Sequence, residues 1–402
     1  GGPRRNRPRE DPRCYKGCMS IPSDRAGPSS PPPTDAPVGG PAAEPPGSAG
    51  AWRALDACAN RAAEGVRVIE DVVRFVLDDV RLTGDAKRLR HDLAALLDRG
   101  GLPARVASRD VSRDVGPSVG DVAALPRATP SDLVAANAAR AAQALRSLQE
   151  IALVLRPELA SDFEALRYRL YDLERAASGL ARARERLAGV TLCVLVDGRA
   201  DRDAFGRLVE GLFGAGVRMI QVRDKALPLS QLADRVALAV RIARARRDAE
   251  AALVIVNDRP DVAVAAGADG VHVGAEDLPV DLARRVVGPG LLVGRTAHTL
   301  EEAQAAVVEG ADSLGIGPCF PSTTKAFDAW AGREFLAAVA GSVGLPAFAI
   351  GGVSLERIDE LLPLGVRRVA VAAAITGADD PPAMAARFIA RLARIPSPPD
   401  SP

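Results

Sequence analysis

The chain has 402 residues, 48% hydrophobic and 26% charged, which is long enough for two folded domains with sizeable cores. Its 52 Lys+Arg balance 51 Asp+Glu to a formal charge of +1, so no global field draws it to nucleic acid or to an anionic membrane surface. No apolar run approaches the roughly 20 residues that span a bilayer, and the Arg-rich start (Arg4, Arg5, Arg7, Arg9, Arg13) is followed by no hydrophobic stretch of the secretory kind.

Residues 1–50 hold 12 of the 31 prolines and 8 of the 37 glycines, with almost no apolar periodicity. Such a segment cannot bury enough surface to offset its ordering entropy and is expected to be a disordered tail. Cys14-x3-Cys18 lies in it without a second Cys/His pair nearby, so a metal site is not expected there. With Cys58, Cys193 and Cys319 these make an odd, scattered set that suits a reducing cytoplasm better than a disulfide framework.

Residues 51–178 read as an all-α helical bundle. Leu55, Ala62, Val66, Ile69, Val73 and Val76 recur at helical spacing between Ala51 and Leu77, and further helical stretches cover 84–98, 131–155 and 158–177. Asp56, Asn60, Glu64, Arg67, Asp71 and Arg74 form a polar stripe on the first helix. A solvated face laced with ion pairs explains that stripe as well as a site does. Asn60, Asn137 and His91 are rare residue types on such helices, which hints at a site. A short linker is expected over 179–187.

From Gly189 the rhythm changes. Short β-rich runs recur every 20 to 30 residues with amphipathic stretches between them: 191–197, 219–224, 253–258, 270–274, 291–298, 313–320, 346–352 and 367–375. Two internal echoes, GADGVHVG at 267–274 and GADSLGIG at 310–317, reinforce the repeat. Eight β/α units over 188–395 predict a closed α/β (β/α)8 TIM barrel, with a second disordered tail at 396–402. No G-x-G-x-x-G or Walker-A loop is present, which argues against the nucleotide-binding open sheets.

In a (β/α)8 barrel the active site lies at the carboxyl ends of the strands. Of the 52 basic residues only four are lysines (Lys16, Lys87, Lys225, Lys325), and two of these fall on that rim together with Asn257, the only barrel Asn. In a chain that uses Arg nearly everywhere, a retained Lys suits a crowded phosphate, where a compact ammonium fits and a guanidinium does not. Arg223 and Lys225 are expected to point the same way and grip one anion. Lys325 follows Ser322, Thr323 and Thr324, a cation with several hydroxyl donors. The bland alternative for each is a solvated loop. Asp258 and Asp277 close adjacent strands and can share a Mg²⁺, whose other ligands are typically waters and phosphate oxygens; taken singly, either is equally a helix cap. Gly351-Gly352 is expected to approach a phosphate closely beside a helix starting at Ser354. His298 is an acid/base candidate or a residue packed beside the cap at Thr299; His272, in mid-strand, reads as a hydrogen-bonded barrel residue.

At this point the motifs resemble thiamine-phosphate synthase. QVRDK at 221–225, VND at 256–258, GVHVGAED at 270–277, GRTAHT at 294–299, GIGPCFPSTTK at 315–325, AIGGVS at 349–354 and VAVAAAIT at 369–376 match its pattern in order and spacing. The resemblance implies that Gln221, Val222, Arg223, Asp224, Lys225, Asn257, Thr296 and Lys325 hold an aminopyrimidine diphosphate, with Lys225, Lys325, Arg223 and Asn257 catalytic. It assigns Asp258 and Asp277 to Mg²⁺, and Ser322, Thr323, Thr324, Gly352, Ala372 and Ala373 to thiazole phosphate. The implied chemistry is loss of pyrophosphate from hydroxymethylpyrimidine diphosphate, leaving a pyrimidine-methyl cation that the thiazole nitrogen captures. The implied partners are those two small molecules, with no nucleic acid, no membrane and a homo-oligomer as an open option. Departures from the pattern are Ala373 where Ser is usual, Ala275 where Gln is usual, Thr296 for Ser and Ser322 for Thr. The helical region resembles the module fused ahead of this barrel in some bacteria, in LDACANRAAEGVRVIEDVVRFVLDD at 55–79, RLRHDL at 88–93, SRDVSRDVG at 108–116, AANAARAAQALRSLQEI at 135–151 and FEALRYRLYDLE at 163–174. That resemblance implies a pyrimidine-phosphate kinase. The competing readings are a non-catalytic thiazole-phosphate-binding regulator, a thiazole tautomerase using His298, and a phosphoribosyl isomerase. None of these needs paired metal carboxylates.

Overall fold

The computed structural model describes residues 48–99, 104–109, 126–246, 252–321 and 331–394. The tail expected over 1–50 lies outside them except for 48–50, which are already helix, and the tail at 396–402 lies wholly outside. Pro45–Pro402 is one compact unit in which the helical region and the barrel pack together.

The helical region is α1 (Ser48–Phe75), α2 (Val80–Asp98), the short α3 (Ala104–Ala107), α4 (Pro130–Leu155) and α5 (Ala160–Arg186). Local chemistry sets the starts. Asp79 accepts from Leu82 N ahead of α2, and Thr129 forms a reciprocal capping box with Asp132 ahead of α4, with Pro130 in its first turn. The apolar stripes of α1, α4 and α5 meet in a core that includes Leu55, Ile69, Leu145, Leu148 and Phe163, all almost fully buried. Between α1 and α2, Glu70 is buried against Arg90 at 2.7 Å. Burial alone would raise the Glu70 pKa, but the Arg90 bond and charge, with Arg67 and Lys87, hold it below the ordinary value.

The stretch 179–187, read as a linker, is instead the last turns of α5. Leu180, Ala181, Ala183 and Leu187 continue its buried face, and that packing outweighs the helix-weakening Gly179. The break comes at Gly189, in the left-handed region at φ 70°. From there β1 (Leu192–Val196), β2 (Met219–Val222), β3 (Leu253–Asn257), β4 (Gly270–Val273), β5 (Leu292–Ala297), β6 (Ser313–Ile316), β7 (Ala347–Ile350) and β8 (Arg368–Val371) pair in parallel, in sequence order, into a closed barrel. The eight helices α6 to α13 each begin after successive strands: Arg202–Gly214, Leu229–Ala245, Pro260–Ala265, Val280–Val287, Leu300–Glu309, Arg333–Ser342, Ile358–Leu361 and Ala373–Thr376; α14 (Pro381–Leu392) ends the described chain.

Period-2 alternation divides each strand. Val194, Val196, Ile220, Val222, Val254 and Val256 face the helices, while Cys193, Leu195, Met219, Leu253, Ile255, Leu292, Phe348 and Ala370 fill the lumen with Leu187 and Val190. The helical region is tied to the barrel by polar contacts. The second Asp79 oxygen accepts from Gly344 N at 3.0 Å, and Arg184 and Arg186 donate to the carbonyls of Val76 (3.0 Å) and Gly290 (2.7 Å). Gly344 has no room for a side chain, since a Cβ there would lie 2.5 Å from Leu77 O.

Candidate active site

The lumen is apolar below and polar above. A cavity of about 360 Å³ opens at the carboxyl ends of the strands, with Met219, Ile255, Leu292 and Phe348 toward its base. Gln221, Arg223, Lys225, Asn257, Asp258, Asp277, Thr296 and His298 all line it. Seven of these eight are residues assigned to the site from sequence; His298 was an open candidate. The strand ends and loops that carry them belong to β2, β3, β4 and β5, four consecutive staves on one side of the mouth.

Four polar contacts organise this side. Lys225 Nζ lies 3.0 Å from an Asp258 carboxylate oxygen. Among the described residues Asp258 is one of three non-glycine residues with positive φ, at 59°, a conformation Asp tolerates better than most; its amide donates to His272 O at 2.8 Å. Asp277 accepts from Gly274 N at 2.8 Å and shares a hydrogen bond with the Asp258 carboxyl. Burial, then the Asp258 bond and charge, raise the Asp277 pKa, while the Gly274 amide and Lys225 pull the other way. Two carboxylates in contact, one with heightened proton affinity, form a donor set suited to a hard divalent cation. Among the described residues no cluster of three or more His, Cys, Asp or Glu offers a fuller metal cage. Arg223 and Lys225, expected to point the same way at a strand end, both line the cavity from beyond the end of β2, and Lys225 has a carboxylate partner.

Two histidines sit in the wall. His272 reaches Thr296 Oγ1 through Nε2 at 3.0 Å. Burial lowers its pKa to about 4, against a smaller opposing pull from Asp277, so the ring is neutral near pH 7. Its space comes from two glycines: a Cβ on Gly294 would lie 2.5 Å from His272 Nδ1, and one on Gly315 3.1 Å from Cε1. His298 sits at the mouth with Nδ1 2.7 Å from Gly317 O. A carbonyl only accepts, so Nδ1 bears a hydrogen and donates it to Gly317 O.

Other expected site residues sit elsewhere. Val222 is fully buried among the sheet–helix contacts, because alternation that turns Gln221 inward turns Val222 outward. Asp224 shapes the loop: its carboxylate accepts from Gly198 N (3.0 Å), Ala226 N (2.8 Å) and Leu227 N (3.0 Å). Burial would raise its pKa, but these amides bring it below the ordinary range. Gly352, Ala372 and Ala373 follow β7 and β8, which pair through Ile350 and Ala370, and do not line the cavity. Gly352 has φ 63°, and a Cβ would lie 2.4 Å from Pro321 O, so its bareness lets the loop after β6 close against β7. The helix expected from Ser354 begins only at Ile358 and has four residues. Ser322, Thr323, Thr324 and Lys325 lie outside the described residues.

Lining residues without an assigned part are His272, Gly274, Ala275, Glu276, Gly294, Ser313, Gly315 and Gly317. For Gly294, Ser313 and Gly315 the signal was a small residue at inward positions of β5 and β6.

Comparison with known proteins identifies relatives of both parts of the chain. Residues 192–375 match the family described as Thiamine monophosphate synthase, and residues 53–176 match the ThiD2 family. The chain is similar to the thiamine-phosphate synthase of Rhodopirellula baltica, 41% identical over 336 residues that make up 81% of this chain and 88% of that protein. It is similar to that of Gloeobacter violaceus, 38% identical over 342 residues, 85% of this chain and 97% of that protein. A solved thiamine phosphate pyrophosphorylase from Pyrococcus furiosus is 31% identical, with 52% of this chain and 98% of that one covered at a TM-score of 0.45.

Proposed function

This chain belongs to the thiamine-phosphate synthase family of transferases, and we propose that its barrel joins hydroxymethylpyrimidine diphosphate to thiazole phosphate by a dissociative, Mg²⁺-assisted route. The observation that carries this reading is the meeting of Arg223, Lys225 and the Asp258–Asp277 pair at one cavity mouth above an apolar base.

Gln221, Asn257 and Thr296 offer amide and hydroxyl groups to the aminopyrimidine, which the apolar base accepts face-on. Arg223, Lys225 and, by its motif, Lys325 surround the diphosphate. The bond between the pyrimidine methylene carbon and the diphosphate oxygen breaks, and its electron pair leaves with pyrophosphate. The thiazole nitrogen lone pair then forms the new carbon–nitrogen bond. Cations fixed where negative charge builds lower the barrier to the first step, and an apolar chamber keeps water from capturing the carbon. Asp258 and Asp277 would hold Mg²⁺, which when bound adds charge neutralisation on the diphosphate oxygens. Backbone donors after β7 and β8, with Ser322 to Thr324, are assigned to the thiazole phosphate. No side chain acts as a nucleophile, in keeping with a site of cations and donors.

The boundaries near residues 178 and 188 are proposed to separate two activities. For the helical part we carry forward phosphorylation of the pyrimidine monophosphate, supported by its match to the ThiD2 family. The test of the barrel is pyrophosphate release with both substrates, with and without a chelator. Release that depends on the thiazole phosphate and on Mg²⁺ supports the reading. Isomerisation of a thiazole phosphate without pyrophosphate release would replace it with the tautomerase.

A further inference from the structure

Away from the barrel, α1 and α4 cross with a groove between them. It is lined by Arg61, Glu64 and Gly65 on α1 and by Asn137, Arg140 and Gln143 on α4, with Cys58 and Ser147 at one end. Gly65 sets the crossing: a Cβ there would lie 2.8 Å from Asn137 O and 3.0 Å from the Ala141 Cβ, so only glycine lets the helices approach this closely. Asn137 is 7% exposed in the middle of an alanine-rich helix, where Ala would be the better former. Its Nδ2 donates to Leu133 O at 2.8 Å, and Oδ1 has no partner among the described residues.

The charges at the rim are unusual for these two helices. Arg67 pairs with Asp71 at 3.2 Å and Arg146 with Glu150 at 2.5 Å, each one turn on, as a solvated face would have it. Arg61 and Arg140 pair with nothing among the described residues, although Glu64 is three residues from Arg61. Two guanidiniums and one carboxylate thus face a groove that Asn137 also lines.

We propose that this groove binds a small phosphate monoester whose head group carries N–H donors. Arg61 and Arg140 take the phosphate dianion, and Asn137 Oδ1 and Glu64 accept from the N–H bonds of an exocyclic amino group. The proposal rests on the reading that the helical region handles the pyrimidine monophosphate, and locates that molecule between α1 and α4 and not in the barrel.

The test is hydrogen-exchange mass spectrometry on the full chain with hydroxymethylpyrimidine monophosphate, inorganic phosphate or chloride at matched ionic strength. The monophosphate is expected to slow exchange in peptides covering 58–68 and 137–147, phosphate to do so more weakly, and chloride not at all. In Arg61→Gln/Arg140→Gln the midpoint for this protection moves at least tenfold higher, while thiamine phosphate is formed from supplied diphosphate at the wild-type rate. Asn137→Ala, with the arginines kept, weakens the monophosphate and leaves inorganic phosphate unchanged. Absence of protection in the wild type, or protection that persists in the double arginine variant, overturns the site. A parallel assay follows ATP-dependent conversion of the monophosphate to the diphosphate. Conversion that survives in the arginine variant overturns the groove and leaves the kinase reading standing; protection without conversion supports the groove and overturns the kinase reading.

Discussion

Gly294→Ala tests how the barrel makes room for its site. The new methyl would lie 2.5 Å from His272 Nδ1 and 2.9 Å from Ser313 Oγ. Ordinary contact needs the ring to move by about 1 Å. It cannot move freely, because its other edge lies over Gly315 and Nε2 is bonded to Thr296 Oγ1 at 3.0 Å. Overpacking of this kind costs about 1–3 kcal/mol, and stretching the buried hydrogen bond adds about 0.5–1.5 kcal/mol. Urea denaturation should therefore show a loss of about 2–4 kcal/mol. Steady-state kinetics should show a raised KM for the pyrimidine diphosphate, through the displaced Thr296, with the KM for thiazole phosphate unchanged. Removing the ring relieves the clash, so Gly294→Ala with His272→Ala should be more stable than the two single losses predict, by about 1 kcal/mol or more. Strict additivity, or wild-type stability in the single variant, would refute this packing.

Three further outcomes follow from the same geometry. His272 titrates near 6.5 when unfolded but near 4 in place, so below pH 6.5 the unfolded chain takes up a proton that the folded chain refuses. Stability is then full above pH 6.5 and falls as pH drops toward 4, by at most about 3 kcal/mol and by less where the ring meets cavity water; His272→Gln should flatten that slope in urea titrations at pH 7 and pH 4.5. Asp258→Asn and Asp277→Asn should each raise the Mg²⁺ concentration for half-maximal turnover at least tenfold, read from activity after chelation and metal titration, whereas Glu276→Gln should not. Asp79→Ala removes a helix cap and the bond to Gly344 N together, and should lower the unfolding free energy by about 2 kcal/mol while Asp79→Asn recovers part of it.

Much of the fold was legible because the physics that sets it is local. All eight strands fall inside the β-rich runs read from sequence, each trimmed at its ends, since the runs took in loop residues such as Arg223 and Asp258. The stretch read as a linker is helix because the tertiary burial of Leu180 and Ala183, which local sequence does not display, carries α5 past Gly179. Gln221 and Thr296 came from the family motif and Asn257 from its place on the strand-end rim, whereas period-2 alternation, applied strictly, would have excluded Val222. The family motif overrode it. Asp224 was misassigned for a related reason: a carboxylate two residues past a strand can face a ligand or collect loop amides, and the choice depends on Gly198, 26 residues away.

The polar mouth has a feature that stability alone does not explain. Asp258 and Asp277 are in contact, and like charges at that range repel. Lys225 at 3.0 Å offsets part of the repulsion, but that ammonium is itself the group expected to meet the diphosphate. When an anion draws Lys225 away, the carboxylate pair is left with excess negative charge unless a cation enters with the substrate. If the proposed reading holds, metal and diphosphate should each tighten the other, and neither should bind well alone. Adjacent strand ends made the two carboxylates visible as a pair, yet the lysine that balances them comes from a different loop, so the coupling emerges only once the barrel closes.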